Sequence, residues 1–375
     1  MRIVKIVVVS LLALVIVLAV FLRLRFGGGE YYPSVATEPI LSEDSLEVVL
    51  AFDEPLGNLA VSADNRVFFT VHPESRPERN KVLEVVNGIP TAYPSEDYQN
   101  NFTTVLGMMI DQNNQLWTID HGNHGFSGVR LLAFDLTTNE VIHDYTFPSE
   151  VGERLSFFND LQVDKNGMVY IADVSFFGKN PALVVYNSKT GESRRLLEQH
   201  PSVYPQDWLI QNKLKDMSFI GGLVLLKPGI DGIALSATED YIYYGAMAHN
   251  GLYRIATKYL NDFTISNDEM SKHVELVGKK PLSDGLSMDT LNNVYITDVE
   301  NDGFAILSPD GTLKTLIRSN KIRWADGASY GGDGYLYFTD SAIPDQMLRS
   351  KSHMKEAAPY YIFRFNPGFG GIPGR

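Results

Sequence analysis

The 375-residue chain has no cysteine. Disulfides, thiol nucleophiles and zinc–cysteine centres are therefore excluded. Positive charge is scarce: 32 Lys and Arg stand against 45 Asp and Glu. Four of the basic residues (Arg2, Lys5, Arg23, Arg25) lie in the first 26 positions, which hold no acid. The remainder has 28 basic against 45 acidic residues, a formal charge of −17. That balance opposes a nucleic-acid partner, whose phosphates need a basic surface. It suits cationic ligands and an extracytoplasmic domain. No Ser-His-Asp pattern, nucleophile elbow or Gly-rich phosphate loop in a strand–helix setting is present.

Long apolar runs are also missing, with one exception. Residues 6–22 are 17 uncharged, almost wholly apolar positions, with basic residues on both sides. The run is at the short limit for a membrane span and long for the core of a signal peptide. No small-x-small cleavage site follows; Arg23-Leu24-Arg25-Phe26 stands there instead. Residues 1–26 read as an uncleaved membrane anchor, with a cleaved signal as the alternative. Either way the chain is expected to be exported: anchored and facing the periplasm or cell exterior, or secreted. Residues 27–45 form a linker to a domain over 46–375.

That domain repeats one short phrase six times: Gly57-Asn58-Leu59, Leu106-Gly107-Met108, Asn159-Asp160-Leu161, Asp231-Gly232-Ile233, Asp284-Gly285-Leu286 and Asp326-Gly327-Ala328. Each copy continues apolar, reaches a polar turn, and is followed by an aromatic-centred run such as Leu116-Trp117-Thr118 or Val169-Tyr170-Ile171. The third phrase residues are spaced by 49, 53, 72, 53 and 42 positions, room for about four short strands per unit. Alternation and short apolar runs between turn residues exclude stacked helix pairs. The fold class is therefore all-β: a six-bladed β-propeller behind an N-terminal transmembrane or signal helix. Residues 46–52 are free to supply the fourth strand of the last blade and close the ring. Residues 199–230 are a long insert and 257–273 a short helical excursion, each a binding loop or surface decoration.

In a propeller the start of each first strand and the end of each second strand share one face of the disc. Two rings follow. The first is Gly57, Leu106, Asn159, Asp231, Asp284, Asp326. The second is Val71, Asp120, Asp173, Ala246, Asp298, Asp340. Two unit charges about 6 Å apart at an effective dielectric near 20 repel by roughly 3 kcal/mol. A cation, a proton or backbone amides must relieve that repulsion. Two readings stand for the first ring: a hard-cation or cationic-ligand site, or Asp side chains capping their own blade turns. Capping is favoured for the second ring. His72 and His121 follow second strands on the same face, and His121-Gly122-Asn123-His124 is a local cluster able to act as acid, base or ligand.

These motifs together resemble the major royal jelly protein and yellow family. The phrases Phe158-Asn159-Asp160-Leu161, Asp231-Gly232-Ile233-Ala234 and Ser283-Asp284-Gly285-Leu286 carry the likeness. So do the aromatic runs that follow them, over about residues 46–370. The closing Tyr361-Ile362-Phe363-Arg364, Pro367-Gly368-Phe369 and Pro373-Gly374 look like those of anchored bacterial members. The resemblance implies an exported six-bladed propeller. Members are often labelled as dopachrome-conversion proteins, and several are better viewed as binders of amines or sterols. More distantly the chain is similar to senescence-marker and gluconolactonase propellers. Those hold a divalent cation with a Glu, an Asn and an Asp, the last also acting as base. Asn159 and Asp231 match the Asn and Asp; the Glu position falls at Gly57, which cannot ligate, and Glu54 is out of register.

Two functions are therefore expected of the mouth. The first is binding of a small cationic or aromatic ligand by Asn159, Asp231, Asp284, Asp326 and His121. The alternative is a lactonase or tautomerase-like isomerase with Asp231 or Asp284 as general base. There a divalent cation, calcium or similar, would sit on Asn159, Asp231 and Asp284. Further partners are the membrane, through the N-terminal segment, and no nucleic acid.

Overall fold

The computed structural model describes residues 2–375. Six four-stranded antiparallel sheets succeed one another along the chain. The first blade is Leu56–Val61, Val67–Val71, Val82–Val86 and Ile89–Ala92, and the next four follow the same order. The sixth takes Ala325–Tyr330, Leu336–Asp340 and Tyr360–Phe365 from the end of the chain and Glu47–Phe52 from its start. Glu47 lies opposite Arg364 and Phe52 opposite Tyr360. This pairing closes the ring and removes the edge that an open array would leave.

Each part of the repeated phrase has a physical task. Its apolar residues and the following aromatic run alternate between the two faces of a blade. Both faces are covered by neighbouring blades, so both sets are buried. Six apolar clusters result, one at each seam between blades. Trp117, Phe147, Phe158 and Tyr186 fill the seam between the second and third blades. Fully burying side chains of this size is worth about 2–3 kcal/mol each. The residue that ends the phrase holds the turn. Asp111 accepts from the amides of Asn113 and Gln115 at 2.9 and 3.0 Å and from the Trp117 indole at 3.0 Å. Asp164 and Asp289 hold their turns in the same way.

The phrase also contains a bulge. In five blades the first strand slips register against the second at the opening residues of the phrase, as between Phe158 and Leu161 and between Ile230 and Ile233. The extra residue bends the strand and re-aims its side chain. The glycine after it allows the inner strands to crowd together at the throat. A β-carbon on Gly107 would overlap the carbonyl oxygen of Asn159, and one on Gly285 that of Asp326.

One end of the channel is closed and the other is rimmed by the insert. On the face away from the first ring, the segment around Gly371–Arg375 runs across the first strands. The amide of Ile110 donates to the Gly374 carbonyl at 3.0 Å, and the Arg375 guanidinium pairs with buried Glu239. The other face carries the insert. Trp208–Leu209 pairs with Glu30–Tyr31, and Ser218–Phe219 forms a hairpin with Val224–Leu225. A further apolar cluster, including Ile210, Met217, Met247, Trp324 and Ile343, ties that insert to the blades. The excursion after the fourth blade's third strand holds the short helices Thr257–Leu260 and Asn267–Ser271. Two helices that the sequence reading did not foresee, Ile343–Gln346 and Lys351–Ala357, lie between the second and third strands of the last blade. The linker is held against the propeller: the amides of Ile40 and Leu41 donate to the carbonyls of Thr315 and Leu316.

Candidate ligand site at the channel mouth

The bulges turn the first ring into the floor of a cavity of about 370 Å³. Asn159, Asp231, Asp284 and Asp326 all reach it, with Leu106 beside them. Its walls are mostly apolar and come from loops of several blades, among them Phe157, Phe176, Met247 and Met347. Leu22 and Phe26, from the end of the N-terminal helix Arg2–Phe26, also line it.

The floor residues are bonded to one another and to the scaffold. Asn159 donates its side-chain amide to the Asp231 carboxylate. The Trp324 indole, 1% exposed, donates to Asp284 Oδ2 at 2.6 Å. The Asp284 amide is anchored on Thr297 Oγ1 at 2.9 Å. Burial pushes the Asp284 carboxyl up to about 7, although the Trp324 hydrogen bond and the charge of Lys280 pull it down. Burial, then the charges of Asp284, Asp160 and Asp326, hold Asp231 well above the ordinary carboxylate range. Asp326 is raised for the same reasons. The floor is therefore an acid cluster that holds its protons more tightly than ordinary carboxyls do, because solvent cannot disperse its charge.

The second ring is spent on the blades. Asp173 pairs with Arg195 at 2.6 Å and accepts from Ser156 and the amide of Phe157. Asp340 holds Arg323 and the amides of Arg323 and Trp324. Asp120 caps the amides of Thr103, Thr104 and Gly122, and Asp298 those of Glu300 and Asn301. Carboxylates with this many donors act as turn caps.

His121 shares the face but stands behind the wall. Its ring packs on Phe157 at 4.4 Å, its Nδ1 accepts from the His124 amide, and its Nε2 has no partner among the described residues. Burial lowers it to about 3, so it is neutral. His72, His124 and Glu74 line the cavity instead, with His124 Nε2 3.5 Å from Glu74 Oε1.

Two features escaped the sequence reading. Lys280 is fully buried beside the floor, donating to Ser283 Oγ at 2.8 Å and to the Pro281 carbonyl at 3.1 Å. Burial lowers its ammonium to about 7 against the pull of Asp231, Asp298 and Asp284. Its only signal was a Lys placed directly before Pro281 ahead of a blade. The second feature is the middle phrase residue, glycine in four copies but Asn58 and Asp160 in the other two. Those two cross the channel, Asn58 donating to Asp160 at 2.6 Å. Comparing the copies at that position would have revealed the pair.

Among the described residues no group of three or more His, Asp or Glu side chains is arranged to hold a metal ion. The donor set agrees with that geometry: Asp231 and Asp284 each have an oxygen engaged by Asn159 or Trp324, and Gly57 offers no ligand. Asn159, Asp231 and Asp284, the three residues expected to hold a cation, all line the floor.

The family model for the major royal jelly protein matches residues 103–317. The chain belongs to the major royal jelly protein family. It is 30% identical over 193 residues to major royal jelly protein 9 of Apis mellifera, a match spanning 47% of this chain and 43% of that protein. It is 26% identical over 247 residues to protein yellow of Drosophila madeirensis, spanning 58% and 42%. The chain thus spans under half the length of these curated relatives. Its fold is similar to that of a gluconolactonase from Xanthomonas campestris, with a TM-score of 0.55 at 12% identity over 90% of this chain and 98% of that one. The likeness to the lactonase is one of fold.

Proposed function

We propose that this royal jelly family protein is an exported propeller that binds a small, cationic or amine-bearing ligand at its channel mouth. One observation carries the reading: three buried carboxyl groups and an amide converge on the floor of an apolar-walled cavity of about 370 Å³. That volume is within the usual range for small-molecule sites, and a few convergent polar groups on apolar walls are their usual design. An amine replaces the protons the cluster otherwise keeps and is held by charge-assisted hydrogen bonds. Aromatic walls add cation–π attraction.

Calorimetry with phenethylamine tests this, with 2-phenylethanol as the uncharged comparator. The amine binds more tightly and releases protons on binding, seen as an enthalpy that depends on the buffer. Asp231→Asn weakens the amine by about tenfold or more. Equal binding of amine and alcohol, unchanged by Asp231→Asn, rules the reading out.

A second reading rests on Asp284. A carboxyl raised to about 7 suits a general base at neutral pH. A tautomerase-like isomerisation or a lactone hydrolysis would use Asp284 or Asp231 in that role. Turnover of a lactone or an enolisable substrate that Asp284→Asn abolishes supports it. Titration with calcium, zinc and manganese tests whether a divalent cation takes part. The anchor belongs to the same proposal: residues 2–26 form one helix apolar and long enough to cross a membrane.

A further inference from the structure

Resting on the mouth cavity as a binding site, we infer that its ligand is a membrane-partitioned amphiphile that enters from the bilayer, and that the N-terminal helix forms part of the site. The helix spans 25 residues, about 37 Å at 1.5 Å per residue, against a hydrocarbon core of about 30 Å. Its last turn is docked on the mouth face. Arg23 donates to the Gly222 carbonyl and Arg25 to the Gly178 carbonyl, both at 2.9 Å, and Lys227 donates to the Gly27 carbonyl at 2.7 Å. Phe26 is buried, with its ring 5.7 Å from that of Phe176. Leu22, the last residue of the apolar stretch, and Phe26, one turn beyond it, thereby become cavity wall.

A helix that crosses a membrane and ends at the cavity places the cavity rim at the membrane surface. The rim has the matching composition. Phe126, Phe177, Ile220 and Leu348 are 56%, 46%, 61% and 68% exposed in loops of this one face. Cations sit among the aromatics although the domain as a whole is acidic: Arg154 over Phe126 at 5.7 Å, Lys179 over Phe176 at 4.4 Å, Lys215 over Phe219 at 4.7 Å. Apolar side chains at acyl depth with Lys and Arg at headgroup level are the pattern of an interfacial surface. The opposite end of the channel is closed by the segment ending at Arg375, so the cavity is a blind cup opening at the rim. Its polar floor and apolar upper walls match a molecule with an amine or hydroxyl head and a hydrocarbon body.

The test uses the full-length chain in nanodiscs of phosphatidylcholine and phosphatidylglycerol, with dodecylamine carrying a terminal diazirine as probe. Photolabelling mapped by mass spectrometry is expected at Leu22, Phe26 and Ile220. Unlabelled dodecylamine competes at least tenfold better than butylamine, since each methylene buried adds a factor of about three to four. An Ile220→Asp/Leu348→Asp variant loses most of the labelling while keeping its thermal midpoint. Equal competition by the two amines, labelling confined to the lipid-facing middle of the helix, or a mature chain beginning after Phe26 each overturns the inference. If both amines bind alike but Asp231→Asn still weakens them, the cavity reading survives and only membrane entry fails. If Asp231→Asn weakens neither, the cavity reading fails as well.

Discussion

Replacing Asp284 by Asn removes one titrating group and little else. The amide oxygen can still accept from the Trp324 indole, and the volume is unchanged. The Asp284 carboxyl moves from 3.8 to about 7 on folding. A shift of about three units is worth about 4 kcal/mol of differential stability between low and high pH. The sign follows from the direction. A carboxyl raised by folding favours the folded state when protonated. That contribution is complete below about pH 4 and is lost as pH rises through about 7. The charge of Asp284 also raises Asp160, Asp231 and Asp326, so its removal lowers all three. Lys280, depressed to about 7, opposes part of this, because its contribution is lost as pH falls through that value. The assay is urea unfolding of the detergent-solubilised full chain at pH 4, 5, 6, 7 and 8, followed by tryptophan fluorescence, to which Trp324 contributes directly. The native chain should lose stability across this window. Asp284→Asn should flatten the profile and gain most at pH 8, by up to about 4 kcal/mol. Parallel profiles for the two proteins would refute the picture of a proton-sharing acid floor.

Four other substitutions probe the scaffold and the floor. Gly285→Ala pushes a methyl into the Asp326 carbonyl and is expected to cost about 1–3 kcal/mol in chemical denaturation. Gly370→Ala, with open space around it, should stay within about 0.5 kcal/mol. Arg195→Met strands the fully buried Asp173 and should destabilise by about 3–5 kcal/mol. That loss should shrink at low pH, where Asp173 takes up a proton. Trp324→Phe takes the donor from Asp284 Oδ2, so the Asp284 titration should move further up, read by carboxyl NMR or by the pH dependence of amine binding.

The blades were legible because their causes are local. Alternation, turn residues and the aromatic run recur at short range, and six copies made the count secure. Closure by Glu47–Phe52 was legible because the last blade lacked a strand and the chain start had one spare. The ring of Asn159, Asp231, Asp284 and Asp326 was legible because repeat symmetry converts a sequence position into a place on the disc. His121 was less legible. Its position put it on the right face, but which ring stands in front depends on how Phe157 packs. The helices Ile343–Gln346 and Lys351–Ala357 were missed because each is short and has few apolar residues, Ile343 packing with the insert and Ala357 at the seam of the last and first blades.

The sequence by itself determined a six-bladed, cysteine-free, acidic propeller behind one apolar helix, with carboxyl groups gathered at one mouth. These follow from periodicity, composition and the agreement of copies, which need no partner to be read. Only the tertiary structure decided what that mouth is. It buried Lys280 beside the acids, bonded Asn58 to Asp160 across the channel, and set Leu22 and Phe26 into the cavity wall. Each of these joins residues from different blades, or from a blade and the helix. Their meeting depends on ring closure and loop packing, which no local pattern in the chain encodes.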